Sequence, residues 1–182
     1  MARLPAGGRE PGRPLVFVRP DSAEAGSPRA AETPGNQFKA EVKGEPDLII
    51  SKHVPSAFYG TPDLDGWLQA RGISSLVICG IATDHCCETT AGTAGDLGYE
   101  TSLVLDATRT FDRATRSGEV VPADEIARAT AASLNDEFAT TLGTAAMLAR
   151  LPWAGRGTGS ARWERQAWET RPMGVQRGGI SN

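Results

Sequence analysis

The stretch Leu76–Gly98, LVICGIATDHCCETTAGTAGDLG, sets the fold of this chain. It begins with a short apolar run typical of a buried strand, and it ends, after a helical segment (86–97), at a glycine that suits a helix C-cap. Similar apolar runs lie at residues 15–18, 47–51 and 102–106. Strands that alternate with helices indicate a parallel sheet, so the sequence predicts an α/β fold.

Further helices and a last strand complete the prediction. Leu64, Trp67 and Leu68 share one helical face before Gly72, and Pro122 is a favourable helix start. The remaining predicted elements are a helix that ends near Asn135, a strand at 138–142 and a helix at 144–150. The segment 19–43, rich in Pro, Gly, Ser and charge, is predicted to be a long surface loop.

Composition separates a domain, residues 1–150, from a tail, residues 151–182. The tail holds three of the four Trp but is dominated by Gly, Arg, Ser and Thr, which predicts disorder. Residues 1–150 carry 14 basic and 20 acidic side chains, a balance that disfavours nucleic acid as a partner. No apolar run reaches the ~18 residues of a membrane span, so no membrane partner and a cytoplasmic location are predicted. Three cysteines, two of them adjacent, suggest reduced thiols.

The segment Gly80–Cys87 concentrates the reactive side chains between a strand and a helix. A cysteine in the first turn of a helix, such as Cys86, lies at the positive end of the helix dipole, where backbone N–H groups can also hold an oxyanion. Lys52 directly follows the strand at 47–51, at the same sheet edge. The alternatives are that Cys86 is a packing residue and that Lys52 is a solvated loop lysine.

Two other kinds of site fit the spacing less well. A papain-like pair needs His53 or His85 to reach Cys86, and His85, its sequence neighbour on a helix, points elsewhere. A zinc site built from these histidines with Cys86 and Cys87 lacks ligand spacing, because adjacent residues on one helix diverge. We therefore predict no metal and no cofactor.

Several blocks in order resemble the isochorismatase-like cysteine hydrolases over about residues 1–148. The blocks are KHVPSAFYGT (52–61), GISSLVICG (72–80), IATDHC (81–86), LGY (97–99) and DA (106–107). The resemblance implies a three-layer α/β/α domain with a sheet order resembling 3-2-1-4-5-6. It also implies a small-molecule substrate and a homo-oligomer.

The resemblance assigns roles to individual residues. Cys86 attacks an amide-like carbonyl, Lys52 supports it, and a cis peptide at Ile81–Ala82 turns the Ala82 amide toward an oxyanion hole shared with the Cys86 amide. The implied substrate pocket is lined by Ser56, Phe58 and Ile81. Nicotinamidases of this family carry a histidine-containing metal motif, and residues 19–50 contain no histidine. The implied reaction is hydrolysis of an amide, carbamoyl or similar C–N bond through a thioacyl intermediate.

One family feature has no match in this sequence. The family's catalytic aspartate ends its first strand, and the chain is expected to begin after that strand, so that the domain at 1–150 lacks strand 1. Asp21 and Asp106 also follow strands, but the family uses neither position as the base. The alternative function is therefore a non-catalytic remnant of the fold that binds a ligand or oligomerises.

Overall fold

The structure is a computed structural model that describes residues 13–150, apart from residues 25, 41 and 43. The predicted tail at 151–182 lies outside the described residues. The strands of the described part are β1 (Val16–Pro20), β2 (Leu48–Lys52), β3 (Ser75–Ile81), β4 (Glu100–Arg109), β5 (Arg113–Ala114), β6 (Val120–Val121) and β7 (Thr140–Leu142). The α-helices are α1 (Leu64–Gln69), α2 (Glu88–Asp96), α3 (Ala123–Leu134) and α4 (Thr144–Arg150).

The parallel strands form two groups. β1 pairs with β2, with Val18 opposite Ile50, and β3 pairs with β4, which in turn pairs with β7. Within the described residues, β1 pairs with β2 alone and β3 with β4 alone. These parallel strands, connected through helices, confirm the predicted α/β fold.

Helices cover one face of the sheet. Ile50 of β2 and Leu76 of β3 pack with Leu64 and Leu68 of α1, so that α1 spans both strand groups. Farther along the same face, a cluster from β4, α2, α3 and the segment before β7 is formed by Leu103, Cys87, Ala91, Leu134 and Ala139. These contacts hold the carboxyl ends of β2 and β3 over one layer of helices.

The opposite face is covered less evenly. Val104 of β4 packs against Met147 of α4, and Phe17 of β1 lies 5.1 Å from Phe38, measured between ring centroids. Together with α1–α3 on the other side, α4 makes the three-layer arrangement. Between these contacts, Ile49 and Val77 are each 46% exposed. Parallel sheets ordinarily bury both faces, so this apolar surface is unusual.

Two local features differ from the sequence prediction. The segment predicted as one helix at 86–97 consists of a π-type turn, Thr83–Cys87, followed by α2. The antiparallel pair β5–β6 was not predicted, because strands of two residues leave no period in the sequence. The helix predicted to end near Asn135 does end there, at Leu134.

Candidate active site

The turn after β3 brings Cys86 to the start of α2. The Ile81–Ala82 peptide bond is cis, as the resemblance implies. The Ala82 carbonyl accepts hydrogen bonds from the backbone N–H groups of His85, at 3.3 Å, and Cys87, at 3.1 Å. Cys86 therefore lies in a tight turn that leads directly into the first turn of α2, where the helix dipole favours negative charge.

Two buried hydroxyl groups, those of Thr83 and Thr108, connect this turn to β4. Thr83 is fully buried, and its Oγ1 donates to Oγ1 of Thr108 on β4 at 2.8 Å. The Thr108 hydroxyl in turn donates to the Leu105 carbonyl at 2.8 Å. The chain of hydroxyls ties the turn to the end of β4.

Lys52 and Cys86 are in direct contact. Lys52, at the end of β2, is only 3% exposed, and its Nζ donates to Cys86 Sγ at 3.2 Å. The same ammonium donates to the carbonyls of Val54, at 3.0 Å, and Pro55, at 2.6 Å. An ammonium has three N–H donors, so these three acceptors satisfy it fully. The arrangement places a buried ammonium in direct contact with the Cys86 sulfur.

The other two thiols lie in less favourable settings. Burial raises the pKa of Cys87 to about 12. Cys79 is exposed along β3, yet desolvation raises its thiol pKa as well. Neither sulfur has a hydrogen bond to a cation within the described residues. Among the cysteines of the described residues, Cys86 is the one whose sulfur accepts a hydrogen bond from a cation.

The opposite side of the turn is held by Asp84. Burial raises the pKa of its carboxyl, but hydrogen bonds from Arg113 and Thr110 outweigh it and hold the pKa at about 2. Arg113 Nε lies 2.5 Å from Oδ2, and the Thr110 hydroxyl donates to Oδ1. His85 Nδ1 lies 3.0 Å from Oδ2. Asp84 thus anchors the turn to the β5–β6 pair.

The residues predicted for the pocket and oxyanion hole lie in different surroundings. Ile81 is 49% exposed at the end of β3, next to Ala82. Phe58 is half-buried and packs on Tyr99, with ring centroids 5.7 Å apart. Ser56 is 1% exposed, and its hydroxyl accepts a hydrogen bond from the Phe58 N–H at 3.3 Å. Ser56 therefore caps a 3₁₀ turn, Ala57–Tyr59, and its predicted contact with substrate remains a prediction.

The alternative catalytic groups are engaged elsewhere. His53 Nδ1 lies 2.7 Å from the Asp21 carbonyl oxygen, and Asp21 Oδ1 accepts from the buried Asn36 amide at 3.0 Å. Asp106 Oδ1 accepts from both the N–H and the hydroxyl of Thr144 and so caps α4. Within the described part of the chain, no carboxylate is hydrogen-bonded to Lys52 Nζ or Cys86 Sγ.

Sequence reasoning missed some groups that shape the site. The Val54 and Pro55 carbonyls leave no sequence signal, because any residue supplies a carbonyl. The sequence also gives no sign that Arg113 belongs to the site, because Arg113 lies far from Asp84 along the chain. Thr90 and Thr93 did carry a signal, since they follow Cys86 at positions i+4 and i+7 of the same helical segment.

Comparisons with known proteins agree on one family. A sequence profile of the isochorismatase domain matches residues 8–141. The uncharacterized isochorismatase family protein YrdC of Bacillus subtilis is 35% identical over 75% of this chain and 73% of its own length. Streptothricin hydrolase of Streptomyces noursei is 31% identical over 74% of this chain, which spans only 49% of that protein.

A solved structure extends the similarity to the fold. The crystal structure of an isochorismatase-family protein from Chromobacterium violaceum superposes with a TM-score of 0.76 at 37% identity. The match covers 81% of this chain and 77% of that one. Fold and sequence therefore lead to the same family.

Proposed function

Because the chain belongs to the isochorismatase family, we propose that it is a cysteine hydrolase that cleaves an amide, carbamoyl or similar C–N bond. The observation that supports this most is the 3.2 Å contact between the buried Lys52 ammonium and Cys86 Sγ. Streptothricin hydrolase, a relative named as a hydrolase, also favours hydrolysis.

In the proposed mechanism, Cys86 is the nucleophile. Its thiolate attacks the carbonyl carbon, a C–S bond forms, and the carbonyl electron pair moves to oxygen, where the Ala82 and Cys86 amides stabilise it. Collapse breaks the C–N bond, and the leaving amine takes the proton that the thiol gave up, relayed by Lys52. Water then hydrolyses the thioester, which releases the acid and restores the thiol.

The test is hydrolysis of a panel of small amides and carbamoyl compounds. Cys86→Ala should abolish turnover, whereas Cys87→Ala, which removes the neighbouring buried thiol, should retain most of it. Intact-mass analysis after an acid quench should detect an acyl adduct that is absent from Cys86→Ala. Equal turnover in wild type and Cys86→Ala would contradict the proposal.

A second candidate is a non-catalytic protein that binds a small molecule in the same pocket. It is favoured by one observation, that no described carboxylate contacts Lys52 Nζ or Cys86 Sγ to serve as the base. Loss of a general base commonly lowers a rate by ~10²–10⁴-fold. Calorimetric binding of a panel compound without any turnover or adduct would support this candidate over the hydrolase.

A further inference from the structure

The helix that begins beside Cys86 is also hydrogen-bonded to the loop that follows Lys52. Thr90 and Thr93, both on α2 after the turn that carries Cys86, are three residues apart and so lie on one face of the helix. That face contacts Ser56 and Ala57. The opposite face of the same segment, with Asp84 and Glu88, contacts Arg113 and Thr130 instead.

Two hydroxyls make the contact with the loop. Thr90 Oγ1 accepts a hydrogen bond from the backbone N–H of Ala57 at 3.1 Å. Thr93 Oγ1 accepts from the Ser56 hydroxyl at 3.0 Å and donates its own proton to the Thr89 carbonyl at 2.8 Å. Ser56 and Ala57 are 1% and 2% exposed, so water does not compete for these hydrogen bonds.

The same loop supplies hydrogen-bond acceptors to the Lys52 ammonium. The carbonyls of Val54 and Pro55, immediately before Ser56, accept two of the three hydrogen bonds of the Lys52 ammonium, and Cys86 Sγ accepts the third. The position of the ammonium therefore depends on where these two carbonyls lie. Their position depends in turn on the attachment of Ser56 and Ala57 to α2.

From this arrangement we infer that Thr90 and Thr93 are positioning residues for the Lys52–Cys86 pair. The inference rests on the proposed function, in which that pair activates the thiol. Without the Thr90 hydroxyl, the buried Ala57 N–H has no acceptor, and the loop must shift to find one. Such a shift moves the Val54 and Pro55 carbonyls and draws the ammonium away from Cys86 Sγ.

The experiment compares three variants of the full chain. Thr90→Val removes the hydroxyl at nearly constant shape, and Thr90→Ser restores it. Thr130→Val is the matched control, because Thr130 is 3% exposed and donates to Glu88 Oε2 at 2.7 Å on the opposite face of the helix. The readouts are the rate of Cys86 alkylation by iodoacetamide across a pH series, resolved by peptide mapping, and the thermal unfolding midpoint.

We expect Thr90→Val to slow Cys86 alkylation about five- to tenfold at neutral pH, because a displaced cation stabilises the thiolate less. The loss should shrink in alkaline buffer, where thiols ionise without help. Thr90→Ser should react like wild type, and Thr130→Val should lower the unfolding midpoint but leave alkylation unchanged. Wild-type alkylation in Thr90→Val, or equal slowing in Thr130→Val, would overturn the inference.

Lys52→Met, labelled in parallel, separates this inference from the proposed function. If Lys52→Met does not slow alkylation, the pair itself is wrong and both conclusions fail. If Lys52→Met slows alkylation and Thr90→Val does not, only the positioning role fails. Should Thr90→Val not fold, Thr93→Val decides by the same criteria with a smaller expected effect, because it loses the hydrogen bonds with the Ser56 hydroxyl and the Thr89 carbonyl but leaves the Ala57 N–H with its acceptor.

Discussion

At the scale of single residues, the site depends on two charged side chains, Lys52 and Asp84, that are largely shielded from water. Lys52 donates to two carbonyls and a thiol, and Asp84 accepts from a guanidinium and a hydroxyl. These two side chains hold opposite sides of the turn that carries Cys86. Lys52 and Cys86 were expected at the same sheet edge, since each follows a parallel strand, and the structure brings them into contact. Their catalytic roles stay a prediction. The Asp84–Arg113 pair could not be foreseen, since neither residue type nor spacing marks it.

The pKa of Asp84 makes stability depend on pH. Its folded value of about 2 lies below its ordinary value of 3.8, so the stabilisation is complete above the ordinary value and is lost as the pH falls through the folded value. We expect Asp84→Asn to lower the free energy of unfolding by about 1–2 kcal/mol at neutral pH, with some screening because Arg113 is partly exposed. Urea unfolding at neutral pH and near pH 2 measures this.

The control for Asp84 is Asp96→Asn, which changes an exposed carboxylate on α2. Asp96→Asn should stay close to wild type at both pH values. The difference between wild type and Asp84→Asn should largely vanish near pH 2. A difference that is the same at both pH values would mean that the Asp84 charge contributes nothing.

At the scale of elements, α2 packs against the backbone before β7 through a glycine. A Cβ at Gly95 would approach the backbone of Phe138, with the Phe138 Cα at 2.8 Å, whereas a Cβ at Gly92 would meet nothing within 4 Å. Alanine favours helices over glycine by about 0.5–1 kcal/mol. Gly92→Ala should therefore stabilise the protein by that amount.

Gly95→Ala should have the opposite effect, although it brings the same gain in helix propensity. Its methyl group forces the backbone of Phe138 away from α2, and overpacking of this kind typically costs about 1–3 kcal/mol. Denaturant unfolding of both variants measures the contrast. Two stabilised variants, or two destabilised ones, would show that α2 does not contact this backbone as described.

Most elements could be predicted because their apolar residues recur with a clear period. The strand predicted at 47–51 is β2, displaced by one residue to Leu48–Lys52, and the helix predicted at 144–150 is α4 with unchanged bounds. The π-type turn at Thr83–Cys87 was not foreseen, because its shape depends on hydrogen bonds to the Ala82 carbonyl rather than on side-chain pattern. The order of strands, by contrast, came from the family resemblance and not from periodicity.

At the scale of the whole molecule, the sheet face that carries Ile49 and Val77, called here the open face, exposes apolar side chains. Val77 of β3 is 46% exposed, and β3 pairs on one side alone within the described residues. Exposed apolar strands with a free edge favour pairing with other chains. We therefore expect the chain to self-associate, and Val77→Lys to reduce its apparent mass in sedimentation velocity.

Leu97→Lys provides the matched control for self-association. Leu97 is 49% exposed at the end of α2, away from the open face of β3. A lysine there should leave the apparent mass unchanged. A chain that is monomeric at all concentrations, or equal dissociation in the two variants, would contradict a role for the open face in association.

We propose Cys86, paired with Lys52, as the reactive thiol, and competitive alkylation of the three cysteines decides between it and the other two. If solvent exposure alone decided reactivity, Cys79 would react first, because it is the exposed thiol. Cys87 is the sequence neighbour of Cys86, so its modification can be told apart only by peptide mapping. With limiting iodoacetamide at neutral pH and peptide mapping, we expect Cys86 to be modified first and Lys52→Met to remove this preference. Modification of Cys79 or Cys87 ahead of Cys86 would contradict this proposal.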